Sequence, residues 1–162
     1  MKLYFFIFLV SSLAMAEKPA MVLNEQKVGI DSNCEINGTG HWIASSTLGV
    51  FIDGIKVLDE NKVGRNTKSH IKDTGDWLAV SLSGFYFNGK QLLKNVTLGK
   101  DFDANLNNHG TWILAGNAFG AIVNGNKVMD QEKVGISVAV NINDDGSWIV
   151  SSSRGVFIGK NP

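Results

Sequence analysis

Apolar residues recur along this chain in short runs separated by polar turns, and the runs themselves repeat. A tryptophan opens one set: "WIASS" at 42–46, "WLAVS" at 77–81, "WILAG" at 112–116 and "WIVSS" at 148–152. A glycine opens the next: "GVFI" at 49–52, "GFYF" at 84–87, "GAIV" at 120–123 and "GVFI" at 155–158. Runs of this length bounded by turn residues read as strands rather than helices. Asp53-Gly54, Asn88-Gly89 and Asn124-Gly125 each stand between two apolar runs. Such dipeptides adopt the positive φ angles of a two-residue hairpin. The glycine before each tryptophan, as in "KDTGDW" and "NNHGTW", marks a second tight turn.

The spacing is regular. Trp42, Trp77, Trp112 and Trp148 lie 35, 35 and 36 residues apart. Gly40, Gly75, Gly110 and Gly146 stand two places before them, and Gly29, Gly64, Gly99 and Gly135 thirteen places before. A third series follows at Gly49, Gly84, Gly120 and Gly155. Four registers kept together define a repeat protein. The repeats run 22–56, 57–91, 92–127 and 128–162, and the third holds one extra residue between Trp112 and Gly120. Each predicts about four short strands. In the second these fall near 68–72, 76–81, 84–88 and 90–94.

The strand after each tryptophan is apolar without alternation, which predicts burial on both faces. A sandwich leaves one face of each sheet wet. A β-propeller places each four-stranded blade between two neighbours. The expected fold is all-β: a small four-bladed propeller occupying 17–162 as a single domain. The last copy has "GVFIG" but lacks a fourth strand, whereas "AMVLNE" at 20–25 matches fourth strands such as "IKVLDE" and has no hairpin before it. The expectation is that this N-terminal strand completes the last blade, so that no edge is left open.

"DTGDWLAVSLSGFYFNGKQLL" and "DDGSWIVSSSRGVFIG" resemble the WD-like propeller repeats of the TolB type. The shared features are an Asp-Gly turn, a Trp-Ile strand, a glycine and a strand ending in Asp/Asn-Gly. The resemblance covers 20–162 and implies blades. The chain departs from the pattern by lacking a Ser-Pro before the turn, and its copies are short and few.

Composition narrows the function classes. The 15 basic and 15 acidic residues cancel, and no basic block offers itself to nucleic acid or an anionic membrane. "MKLYFFIFLVSSLAMA" at 1–16 has a signal peptide's charged start, apolar middle and A-x-A end. Its apolar run is too short to span a bilayer. Export to the periplasm or the extracellular space is therefore expected. Cys34 is the single cysteine, so no internal disulfide forms. It reads as a small apolar residue or as a reactive thiol.

The candidate chemistry is sparse. The four tryptophans read as structural residues between blades, each burying about 150–250 Å²; sugar stacking is the other reading. On the first strand of each repeat, Glu35, His70, Asn105 and Asn141 share one offset, opposite in parity to Ile36, Ile71, Leu106 and Ile142. If that strand is innermost, the four polar groups form a ring on the axis. The ring would hold a channel cation or small polar ligand, or simply line a water-filled channel. "NINDDGSW" resembles the start of a calcium loop through Asn141, Asn143, Asp145 and Gly146. Ser152 stands where such a loop needs Glu, so a turn is the better reading. Asn37 and Asn95 head glycosylation sequons, meaningful only in a eukaryote.

No hydrolase motif, phosphate loop or paired catalytic carboxylates appear. The expectation is a non-enzymatic binding module, monomer or homodimer, with no cofactor beyond a channel cation. Its partner would be a protein or glycan held by the blade loops or the channel. The alternative is a small enzyme using Glu35 and His70 at the channel mouth.

Overall fold

The computed structural model describes residues 20–94, 99 and 101–161. Residues 1–16, where a signal peptide is expected, and the sequon at Asn95 lie outside the described residues.

The chain is all-β, with four antiparallel sheets, one for each repeat. The first holds β1 (Asn33–Ile36), β2 (Trp42–Ser46), β3 (Gly49–Ile52) and β4 (Ile55–Asp59). The second holds β5 (Lys68–Ile71), β6 (Trp77–Ser81), β7 (Gly84–Phe87) and β8 (Lys90–Lys94). The third holds β9 (Phe102–Leu106), β10 (Trp112–Gly116), β11 (Gly120–Val123) and β12 (Asn126–Met129). The fourth has three strands, β13 (Ala139–Ile142), β14 (Ser147–Ser152) and β15 (Gly155–Lys160). Each sheet is a simple meander in chain order. The extra residue of the third repeat sits in the turn from β10 to β11, which holds Asn117, Ala118 and Phe119.

The hairpin dipeptides do the work their sequence predicts. Asp53 and Gly54 have φ of 48° and 85°, Asn88 and Gly89 48° and 79°, and Asn124 and Gly125 46° and 88°. Two successive positive φ values match the twist of the flanking strands. The first residue of each pair has a second role. Asp53 Oδ1 accepts from the Trp42 N–H at 3.0 Å, Asn88 Oδ1 from Trp77 at 2.9 Å and Asn124 Oδ1 from Trp112 at 2.9 Å. One side chain therefore fixes both the turn and the start of the tryptophan strand.

The sheets stack in chain order through one repeated interface. Ile43, Val50 and Leu58 of the first sheet pack on Ile71, Trp77, Ala79 and Tyr86 of the second. Leu78, Val80 and Phe85 of the second meet Phe102, Ala104, Leu106, Trp112 and Leu114 of the third. Ile113, Ala121, Val123 and Met129 of the third meet Val140, Ile142, Trp148 and Val150 of the fourth. Burial on both faces accordingly holds for β6 and β10, where every residue is buried. β14 alternates over Ser147–Ser151 and β2 over Trp42–Ser45, because each outer sheet has a described neighbour on one side. The same reason separates the tryptophans. Trp77, Trp112 and Trp148 are buried, whereas Trp42, on the open face of the first sheet, is half-buried.

The expected closure is not formed among the described residues. β15 pairs with β14 and no fourth strand joins it. Residues 20–24 form no strand. Asn24 instead starts one helical turn, α1 (Glu25–Val28), by accepting the Lys27 N–H at its carbonyl (3.0 Å) and its side-chain oxygen (3.2 Å). A short polar side chain that bonds the backbone three residues on favours a helix start over an extended strand. Among the described residues four sheets thus form a propeller-like stack without a closed ring. No helix of the described residues is long and apolar enough to cross a membrane.

Candidate functional site

The first strands of neighbouring sheets run side by side, β1 against β5, β5 against β9 and β9 against β13. They carry the polar positions that the repeat offset singles out. Glu35 and His70 do meet: His70 Nδ1 lies 2.7 Å from Glu35 Oε2. Lys72 Nζ donates to the other carboxylate oxygen at 3.2 Å. About a quarter of each of these three side chains is exposed. Burial pushes the Glu35 carboxyl up, but bonding and charge from His70, then Lys72, outweigh it and hold the group below the usual glutamate value.

Asn105 and Asn141 are not drawn into this cluster. Each turns its amide oxygen back onto the next backbone N–H, Asn105 to Leu106 at 2.7 Å and Asn141 to Ile142 at 2.8 Å. Asn141 lies with Ile149 and Ile158 in a shallow groove on the outer face of the fourth sheet, while Glu35 lines a groove on the first. The structure thus brings two of the four ring residues together. The position two residues earlier, absent from the sequence reading, stitches the sheets. Asn33 Oδ1 accepts the Ser69 N–H at 3.1 Å, and Asp103 Oδ2 accepts the equivalent Val140 N–H at 2.9 Å. Between them Lys68 Nζ bonds Asp103 Oδ1 at 2.8 Å. Parity alone places Asn33, Lys68 and Asp103 on the same face as Glu35, His70 and Asn105. That was the available signal.

At the other end of the strands the turns are stitched too. Asn37 Nδ2 donates to the Lys72 carbonyl at 2.8 Å, and Asn107 Nδ2 to the Asn143 carbonyl at 2.9 Å. Gly38 N–H donates to Asp73 Oδ1 at 2.6 Å and Asn108 N–H to Asp144 Oδ1 at 2.9 Å. The Asn37 amide is thereby spent inside the protein fold. The calcium-like segment is a turn: Asn143 Oδ1 and Asp145 Oδ1 both accept the Ser147 N–H, at 2.9 and 2.8 Å. No group of three or more His, Cys, Asp or Glu placed to hold a metal ion occurs among the described residues.

Where the chain enters each first strand, all four repeats contribute to one polar groove of about 390 Å³. Asp31, Asn66, Asp101 and Ser137 stand at one repeat offset, two residues after the glycine series. Asp31, Asn66 and Ser137 have φ of 55°, 59° and 59°. Asp and Asn tolerate this left-handed conformation because their short side chains bond locally. The chain turns there and leaves polar side chains facing the groove. Ser32, Asn33 and Lys68 add hydroxyl, amide and ammonium groups, the buried Thr67 spends its hydroxyl on the Gly64 carbonyl, and the buried Phe102 and Val138 form an apolar floor. All four repeats build this feature together, and sequence reasoning missed it. The signal was present in the shared offset of Asp31, Asn66, Asp101 and Ser137.

Against known proteins the chain stands apart: no family model matches it, no curated protein matches it, and no solved structure matches it.

Proposed function

We propose that this protein is an exported, non-enzymatic binding module that recognises a carbohydrate or protein ligand in the groove at the ends of its first strands. The observation that carries the reading is the convergence of Asp31, Asn66, Asp101 and Ser137 from four repeats on one cavity. Carboxylates, amides and hydroxyls around an apolar floor match a polyhydroxylated ligand, whose hydroxyls need donors and acceptors in several directions. The proposal includes the finer reading of the four sheets as propeller blades. The 35-residue repeat, the chain-order stacking and the side-by-side first strands support it. The resemblance to TolB-type repeats points the same way. Export rests on the sequence of residues 1–16. The test is a glycan array together with a pull-down on the protein lacking residues 1–16. A specific hit that Asp31→Ala plus Asp101→Ala abolishes supports the reading; no specific hit in either screen counts against it.

A second reading has one observation in its favour, the 2.7 Å contact of Glu35 with His70, the geometry of an acid–base pair. Lys72 on the second carboxylate oxygen makes the cluster an ion-paired link between sheets instead. An activity lost in Glu35→Gln with His70→Ala, while folding is kept, would favour the enzyme.

A further inference from the structure

The repeated interface has two halves, and among the described residues each outer sheet leaves one of them open. The half formed by Ile43 and Val50 recurs as Leu78 and Phe85, then as Ile113 and Ala121, all fully buried. Its fourth copy is Ile149 and Val156, with Ile158 beside them, and these are 37%, 65% and 76% exposed. The opposite half contains Ile71, Leu106 and Ile142, exposed by 5% or less, and its remaining copy is Ile36, exposed by 67%. The two open faces are therefore not alike but complementary. Each is a copy of a surface that elsewhere in this chain is covered by a copy of the other.

The polar links follow the same register. The side-chain amides of Asn37 and Asn107 donate to the carbonyl at the equivalent turn of the following sheet. Asn143 holds that position in the fourth repeat, where its amide would face the equivalent carbonyl of a following sheet. On the other side, Leu23 corresponds to Leu58 and Met129, which pack on the next sheet. Leu23 lines, with Ile36 and Trp42, a groove of about 460 Å³. A residue from the fourth-strand position thus lines the open face of the first sheet.

We propose that a second copy of this chain covers these faces head to tail, the outer face of β13–β15 in one copy stacking on the outer face of β1–β4 in its partner. The contact is heterologous, so two copies close a ring if the curvature allows, and otherwise add in series. Large exposed apolar faces of this kind mark association surfaces. The continuity of the interface, with three internal examples, selects a copy of this chain as the occupant.

Two glutamate variants test the pairing, because each blocks one face in a side chain already exposed. Sedimentation velocity should show the wild-type protein with at least twice the single-chain mass. Ile36→Glu and Ile158→Glu should each be single chains with wild-type far-UV dichroism. Mixed together they should form a pair of two chains, since each retains the face that the other has lost. If a glutamate variant fails to fold, Ile36→Ser and Ile158→Ser take its place. Cys34, exposed on the open face of the first sheet, gives a second readout. Its labelling by a thiol reagent should slow at least tenfold as concentration rises, and stay fast at every concentration in Ile158→Glu. A wild-type protein that is a single chain at all concentrations overturns the proposal. So does slow labelling that dilution does not relieve, which would mean that the chain covers its own face.

Discussion

Glu35 and His70 stand 35 positions apart, on β1 and β5 of different sheets, yet their side chains meet at 2.7 Å. The repeat length is what makes them neighbours. Equal offset in consecutive copies brings residues to equal height on adjacent first strands, and Lys72 closes the group from one residue past β5.

That cluster sets a pH dependence. The folded-state pKa of Glu35 lies below its unfolded value, so its contribution is complete above the unfolded value of about 4.3 and is lost as pH falls through the folded one. Glu35→Gln should cost about 1 kcal/mol at neutral pH, a figure reduced for the partial exposure of the group. In acid, with the carboxyl protonated in both states, variant and wild type should converge. Urea unfolding at neutral pH and at about pH 2 measures the difference.

The tryptophans should divide by neighbour and not by sequence. Trp77→Ala, Trp112→Ala and Trp148→Ala each remove a ring packed between two sheets, and should each cost about 3–5 kcal/mol. Trp42→Ala removes one on an open face and should cost less than half as much in the single-chain Ile158→Glu background. Equal losses at all four positions would show that Trp42 is covered within the chain.

Two glycine substitutions separate crowding from backbone strain. A methyl group at Gly159 would run into the Trp148 ring, so Gly159→Ala should cost about 2–3 kcal/mol through displaced core packing. A methyl group at Gly54 meets nothing within 4 Å, but its φ of +85° is strained for alanine. Gly54→Ala should cost about 1 kcal/mol. Thermal unfolding of the two variants side by side checks the order.

The turn residue beneath each tryptophan should matter beyond its φ. Asn124→Gly keeps the left-handed conformation but removes the acceptor for the Trp112 N–H. Asn124→Asp keeps the acceptor. A loss of about 1–2 kcal/mol in the first and less than half that in the second, measured by denaturant unfolding, assigns the effect to the hydrogen bond.

Much of the architecture was legible because it repeats. The strands expected near 68–72, 76–81, 84–88 and 90–94 appear at 68–71, 77–81, 84–87 and 90–94. Their hairpin turns follow from the Asn-Gly and Asp-Gly chemistry alone. What the pattern did not carry is whatever depends on a neighbour or on a local competitor. Trp42 has the same sequence context as Trp77, and only the missing sheet beside it leaves it half-exposed. Residues 20–24 match fourth strands, but Asn24 bonds the Lys27 N–H and starts a helical turn. Parity led to an expected ring of Glu35, His70, Asn105 and Asn141, but only the first two meet, because the amides of Asn105 and Asn141 bond their own strands. The groove came into view only when the turns before the first strands were placed, with Asp31, Asn66 and Ser137 in the left-handed region.

The functional account stands on that groove, and one measurement bears on it most directly. The ligand recovered by array or pull-down would be titrated calorimetrically into wild type and into Asp31→Ala plus Asp101→Ala, with Glu60→Ala as a surface control remote from the groove. The account predicts at least a tenfold weaker Kd for the groove variant, an unchanged Kd for the control, and the same far-UV dichroism in all three. Equal affinity in all three proteins would contradict it.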